Sequence, residues 1–242
     1  VALGVAILPM LSQQVASKKF SEMVKTIAFG IRLILFVTIP ATIGLIILRF
    51  PIVNTLWERG EFTRFTTEGT TTALLYYSTG LCAFCGLKVI VPAFYSLQDT
   101  KTPAKIGIYS MLLNIVLNII LMGPLKHGGL ALATSIAAIF NLALLIHLLR
   151  KRIGLMGGRK ILLSVINLFF VSGIMGIAVY FFNNVFFDPN DQLIVKFLIL
   201  SANIGIGILI YMVLSRIIQN EELSFIIKLT RNRQNKLYQK EI

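Results

Sequence analysis

The chain has 242 residues, 56% of them hydrophobic and 14% charged, with a mean hydropathy of +0.82. A soluble core of this size needs no such enrichment, so a water-soluble globular domain is excluded. A net charge of +13 would point to nucleic acid in a soluble protein; here the positions of the charges give another cause, and no nucleic-acid partner is expected.

Residues 1–11 are apolar but too short to cross a membrane, and no initiator Met or signal-peptide n-region precedes them. Gly4, Pro9 and the polar Ser12 to Gln14 read as the last half of a helix that ends at the cytoplasm, so the chain is expected to be a fragment cut inside a transmembrane helix. Residues 12–26 then form a cytoplasmic linker carrying Lys18, Lys19 and Lys25. Six long apolar runs follow, over 27–48, 73–95, 106–125, 129–149, 161–182 and 193–217, none with an Asp or Glu. About 20 residues rising ~1.5 Å each suffice to cross a ~30 Å hydrocarbon core. Only a helix or a closed barrel satisfies its backbone in lipid, and runs this continuous are helices. The fold class is all-α, a polytopic membrane helix bundle with half a helix and six full spans.

The connections supply detail. In 51–72, Ile52, Val53, Leu56 and Trp57 suggest a short helix lying in the membrane interface and ended by Gly60. Around 99–103, Thr102 is suited to N-cap a helix with Pro103 at its first position. Residues 123–129 form a tight outer turn, so the helices on either side are antiparallel neighbours. The segment 218–242 is a basic tail. If the loops alternate sides, one side carries 16 Lys and Arg and the other 4. That asymmetry puts the C-terminus in the cytoplasm of a cell inner membrane and makes membrane lipids, their anionic headgroups above all, the expected partners.

Three constellations are candidates for function. Arg32 and Lys88 are cations inside acid-free spans at similar depth on the cytoplasmic side. Such residues face protein or water, or their long side chains snorkel to the headgroups. An anion such as a phosphate would neutralise them; the two alternatives stay open. Lys196 lies near the outer interface, within snorkelling reach. Gly107, Ser110, Asn114 and Asn118 share one helix face, and Thr134, Ala138 and Asn141 share another on the returning helix. Counting from the turn sets Asn118 level with Thr134. They read either as interhelical hydrogen bonding or as an oxygen-lined cation site. Cys82 and Cys85 lack a third ligand and read as packing, Pro40 and Pro92 as kinks or hinges, and Gly173, Gly176, Gly205 and Gly207 as close contacts of the last two spans. No triad, paired carboxylate or phosphate-binding loop occurs, so the chain is not expected to be an enzyme, and no cofactor is expected.

The stretches KVIVPAFYSLQDTKTP (88–103), WERGEFT (57–63), GPLKHGGLALATS (123–135) and VAILPMLS (5–12) together resemble the MurJ/MviN lipid II flippases, in the same order. The resemblance runs to about Arg152. It implies a MOP-type exporter of two six-helix lobes plus two extra helices, truncated here to the end of helix eight and helices nine to fourteen. On that basis 12–152 is the remainder of the C-terminal lobe, with four spans, and 153–217 the two added helices that form a groove for a lipid tail. The implied activity is transport of an undecaprenyl-diphosphate-linked peptidoglycan precursor by alternating access, with the N-terminal half of the same protein as partner. The family's best-known cavity arginines would lie upstream of Val1. A sodium ion (Na+), if held as in some members, would meet Asn114, Asn118, Thr134 and the Leu130 carbonyl, but Asn118 stands where an acid is expected. Another exporter of the superfamily, or a non-transporting membrane scaffold subunit, are the competing readings; a drug exporter would show an acid in these spans.

Overall fold

In a hydrocarbon phase every backbone N–H and C=O must be met within the segment, and each of the six apolar runs accordingly lies in a helix. The computed structural model describes residues 2–154, 157–218 and 222–224. Its helices are α1 (Ala2–Ala16), α2 (Phe20–Trp57), α3 (Arg64–Ser96), α4 (Lys101–Leu125), α5 (His127–Ile153), α6 (Gly158–Phe186) and α7 (Leu193–Ile217), with no strand among the described residues. Helices α2 to α7 are each long and apolar enough to cross a membrane. The fold is an all-α membrane bundle.

α3 packs between α5 and α2, with α1 beside it; α4 rests mainly on α5; α6 lies on α2; and α7 closes on α6 and α2. Only 11% of the apolar window of α4 is buried, and Ile108, Ile115 and Ile119 point outward. Among the described residues α4 rests mainly on α5 and leaves an apolar face outward. Two apolar cores form. Leu11, Ile27, Val89, Phe94 and Leu145 build one from α1, α2, α3 and α5. Phe36, Leu48, Leu168, Val171 and Tyr211 build the other from α2, α6 and α7. α2 contributes to both and is the spine of the molecule.

Several boundaries move. The apolar start continues through Pro9 to Ala16, so the expected 12–26 linker shrinks to residues 17–19. The separate interfacial helix does not exist. α2 runs on through Pro51 to Trp57 and buries Val53, Asn54 and Thr55, because a proline removes one backbone bond without ending a helix whose neighbours still pack. The outer turn is a single residue, Lys126, with φ 49°. Gly176 brings α6 against Ile43 and Ile47 of α2 rather than against α7, while Gly207 does meet Val179 of α6; Gly173 and Gly205 touch nothing. Of the basic tail, residues 219–221 and 225–242 lie outside the described residues.

The cap of α4 also differs from expectation. Asp99, not Thr102, does the capping: its Oδ1 accepts the Thr102 N–H at 2.9 Å. Its other oxygen pairs with Arg152 at 2.6 Å, and the Arg152 guanidinium lies over the Phe94 ring. One carboxylate thus ties the α3–α4 loop to the C-terminal end of α5. Hydrogen bonds from Thr102, with help from Arg152, hold the Asp99 carboxyl below its usual range. Asp99→Ala is expected to cost about 0.5–2 kcal/mol in thermal unfolding in detergent. Because the folded value is depressed, the carboxylate's contribution is complete above pH ~4 and lost as pH falls through the folded value. The gap between wild type and variant should therefore narrow in acid; a gap that widens there refutes the assignment.

Candidate functional site

Three helices of the second core leave an apolar groove of about 490 Å³ between them, lined by Phe36, Pro40 and Gly44 of α2, Met175 of α6, and Gly207 and Tyr211 of α7. Its shape follows from its small residues. Gly44 has open space where a Cβ would sit, and Gly207 lets α7 approach Val179 to 3.2 Å from such a Cβ. Pro40 has no N–H, which orphans the carbonyl four residues back, that of Phe36. The Tyr211 hydroxyl donates to this carbonyl at 2.5 Å, and the two rings meet at 5.1 Å. The carbonyl that Pro40 leaves open is thereby an anchor for α7.

Arg32 lies one turn of α2 below Phe36. It is 17% exposed, and its Nε stands 3.4 Å from Oε1 of Glu222, which is 3% exposed. The six apolar runs hold no carboxylate, but the segment after α7 brings one in. Arg32 is therefore neutralised within the chain, and the cost that suggested an external anion is met by Glu222. Sequence reasoning missed this partner; the only signal was an acidic pair, Glu221 and Glu222, just beyond the last span.

Lys88 is different. It is exposed, on a face of α3 shared with exposed Tyr77 and Tyr95. The structure does not bring it together with Arg32. The two lie in different surroundings, one on an open aromatic face and the other in an ion pair.

The third constellation forms a relay. The Asn118 amide donates to Asn114 Oδ1 at 3.0 Å, the Asn114 amide to Thr134 Oγ1 at 3.3 Å, and the Thr134 hydroxyl to the Leu130 carbonyl at 2.8 Å. α4 and α5 do pack through these residues, but Asn114, not Asn118, meets Thr134. Apart from Asn118 Oδ1, the oxygens that a cation would use are engaged in this relay. Cys82 and Cys85 are free thiols, and Thr42 lies 3.8 Å from the Cys82 sulfur, a packing contact.

Six membrane-length helices around an apolar groove define a multi-pass α-helical membrane protein. The family model "Lipid II flippase MurJ" matches residues 1–202, and the chain belongs to that family. Among its relatives is a probable lipid II flippase MurJ of Vibrio cholerae, 43% identical over 145 residues, which are 60% of this chain and 28% of that protein. Another, from Rickettsia prowazekii, is 35% identical over 207 residues, or 85% of this chain and 41% of that protein. A solved lipid II flippase MurJ in an inward closed conformation superposes with a TM-score of 0.72 at 29% identity, covering 90% of this chain and 42% of the other. The chain thus spans less than half the length of these relatives.

Proposed function

We propose that this chain is the C-terminal portion of a lipid II flippase, a transporter rather than an enzyme. It would move undecaprenyl-diphosphate-linked precursor across the cytoplasmic membrane by alternating access, with its C-terminus in the cytoplasm. The observation that carries this reading is the apolar groove of α2, α6 and α7, in a chain of this family. An isoprenoid tail suits a slot that is apolar along its length, and each buried methylene contributes about 0.8 kcal/mol. The remaining length of the relatives would supply the facing lobe. Lys88, exposed on an aromatic face of α3, is the cation free to add positive potential to a shared cavity; Arg32 would do so only by leaving Glu222. The 16:4 charge asymmetry supports the orientation.

The experiment is complementation by the full-length parent. Gly44→Leu puts a side chain into the groove, and nothing lies within 4 Å of its Cβ. Leu also favours helix over Gly by up to ~1 kcal/mol, so stability should hold or rise. Displacing two methylenes of tail costs about 1.6 kcal/mol, so flipping at limiting substrate should fall about tenfold or more. Lys88→Ala should also impair flipping with membrane insertion intact. Full activity of Gly44→Leu at normal expression would remove the tail-groove reading, and full activity of Lys88→Ala would return that residue to snorkelling. A scaffold subunit would tolerate both changes.

A further inference from the structure

α5 and α6 follow one another along the chain but scarcely touch. A cavity of about 250 Å³ lies between them, lined by Ile31 of α2, Ile146 and Arg150 of α5, and Gly158, Ile161 and Val165 of α6. Apart from Arg150 its side chains are hydrocarbon, so water finds no set of polar partners there. The apolar runs fix its depth. That of α5 ends at Leu149, beside Arg150, and that of α6 begins at Ile161, three residues after Gly158. Arg150 and Gly158 therefore stand at headgroup level. Ile146, one turn back from Arg150, and Val165, one turn beyond Ile161, stand at the level of lipid chains. A Cβ on Gly158 would meet nothing within 4 Å, so the mouth is open.

The charge around the mouth has one sign. Arg150 is exposed, and so are Arg159 and Lys160 in the first turn of α6, next to Gly158 in sequence. The three acids described at this end of the bundle are already engaged: Glu22 by Lys19, Asp99 by Arg152 and Glu222 by Arg32. No carboxylate lines the cavity. Among the described residues Arg150 is thus left without an acid, at the end proposed to face the cytoplasm. Its planar fork of donors suits a phosphate. A free phosphate would meet the guanidinium and leave the apolar slot empty. An uncharged chain would fill the slot and leave the guanidinium unmatched. A phospholipid with a net negative headgroup does both, whereas the cation of a zwitterionic headgroup would stand against Arg150, Arg159 and Lys160.

We propose that the cavity between α2, α5 and α6 is a binding site for an anionic phospholipid of the surrounding leaflet, its phosphate held by Arg150 and one acyl chain lying along Ile31, Ile146 and Val165. The site shares no lining residue with the groove of α2, α6 and α7, and it stands whether or not the chain transports lipid.

The test is lipid retention by the full-length parent in detergent, counted by native mass spectrometry. Phosphatidylglycerol is titrated beside phosphatidylcholine of the same chains and beside inorganic phosphate. Saturable retention of phosphatidylglycerol is expected, tighter than that of phosphatidylcholine. Arg150→Gln should weaken it about tenfold or more. Gly158→Leu, which sets a side chain in the mouth, should weaken it too. Lys151→Gln removes an equal charge from the next residue, which does not line the cavity, and should leave retention unchanged. An equal loss in Lys151→Gln would mean diffuse attraction to a basic surface and overturns the proposal. Equal retention of phosphatidylcholine overturns it, and so does inorganic phosphate binding as tightly as the lipid. Should Arg150→Gln not fold, Gly158→Leu decides: unchanged retention overturns the site.

Discussion

Glu222→Leu is expected to destabilise the chain by about 3–5 kcal/mol, the usual consequence of stranding one member of a buried ion pair. Arg32, 17% exposed, would lose the Glu222 carboxylate and keep its contact with the Phe29 ring. Arg32→Met should cost a similar amount, because it strands a carboxylate that is only 3% exposed. The double variant, apolar on both sides, is expected to lie within about 1.5 kcal/mol of wild type, since replacing a buried pair by apolar groups of similar volume is often neutral. The measurement is a double-mutant cycle on unfolding in detergent. Additive single effects would show that the pair does not hold the end of α7 to α2. The same cycle bears on transport. If the double variant of the full-length parent flips normally, Arg32 is a structural cation; if it folds but fails to flip, Arg32 has a second partner.

The second large effect lies in the α4–α5 hairpin. A Cβ on Gly129 would meet the Leu121 carbonyl carbon at 2.5 Å and the Met122 nitrogen at 2.9 Å. These are backbone atoms and cannot rotate aside. Gly129→Val is expected to cost about 1–3 kcal/mol or more by forcing the two helices apart. It should also break the Asn114 to Thr134 bond nearby. Gly123, in the same hairpin, has nothing within 4 Å of its would-be Cβ. Gly123→Ala is expected to stabilise by up to ~1 kcal/mol through helix propensity. Two glycines six residues apart thus carry opposite signs. Thermal unfolding of both variants checks this, and an equal effect at the two positions would refute the hairpin packing.

How much of this was legible without coordinates differs from element to element. The six spans follow from hydropathy, because lipid imposes on each run alone the requirement that its backbone be satisfied. The sidedness proposed for them rests on charge placement, a property of loops that needs no packing. The motifs from Val5 to Pro103 and around Gly123 pointed to the family. Even the orphaned Phe36 carbonyl is implied by Pro40 four residues on. Its donor is not: Tyr211 is 175 residues away, and nothing local marks it among the other tyrosines. Glu222 is hidden for the same reason, since an acid in a polar segment gives no sign that it folds back onto a cation 190 residues earlier. Counting from the turn set Asn118 opposite Thr134, yet the amide that bonds Thr134 is that of Asn114, one helical turn further from Lys126. Which of two side chains on one helix face reaches across is decided by how the helices pack. Asn54, Thr55, Thr67 and Thr71 looked like the polar ends of a loop. Only tertiary structure put them inside, by running α2 through Pro51 and laying its last turn against α3. Span and family are properties of segments and can be read along the chain. Ion-pair partner, cross-helix hydrogen bond and the burial of a polar side chain are properties of pairs distant in sequence, decided by how the helices pack.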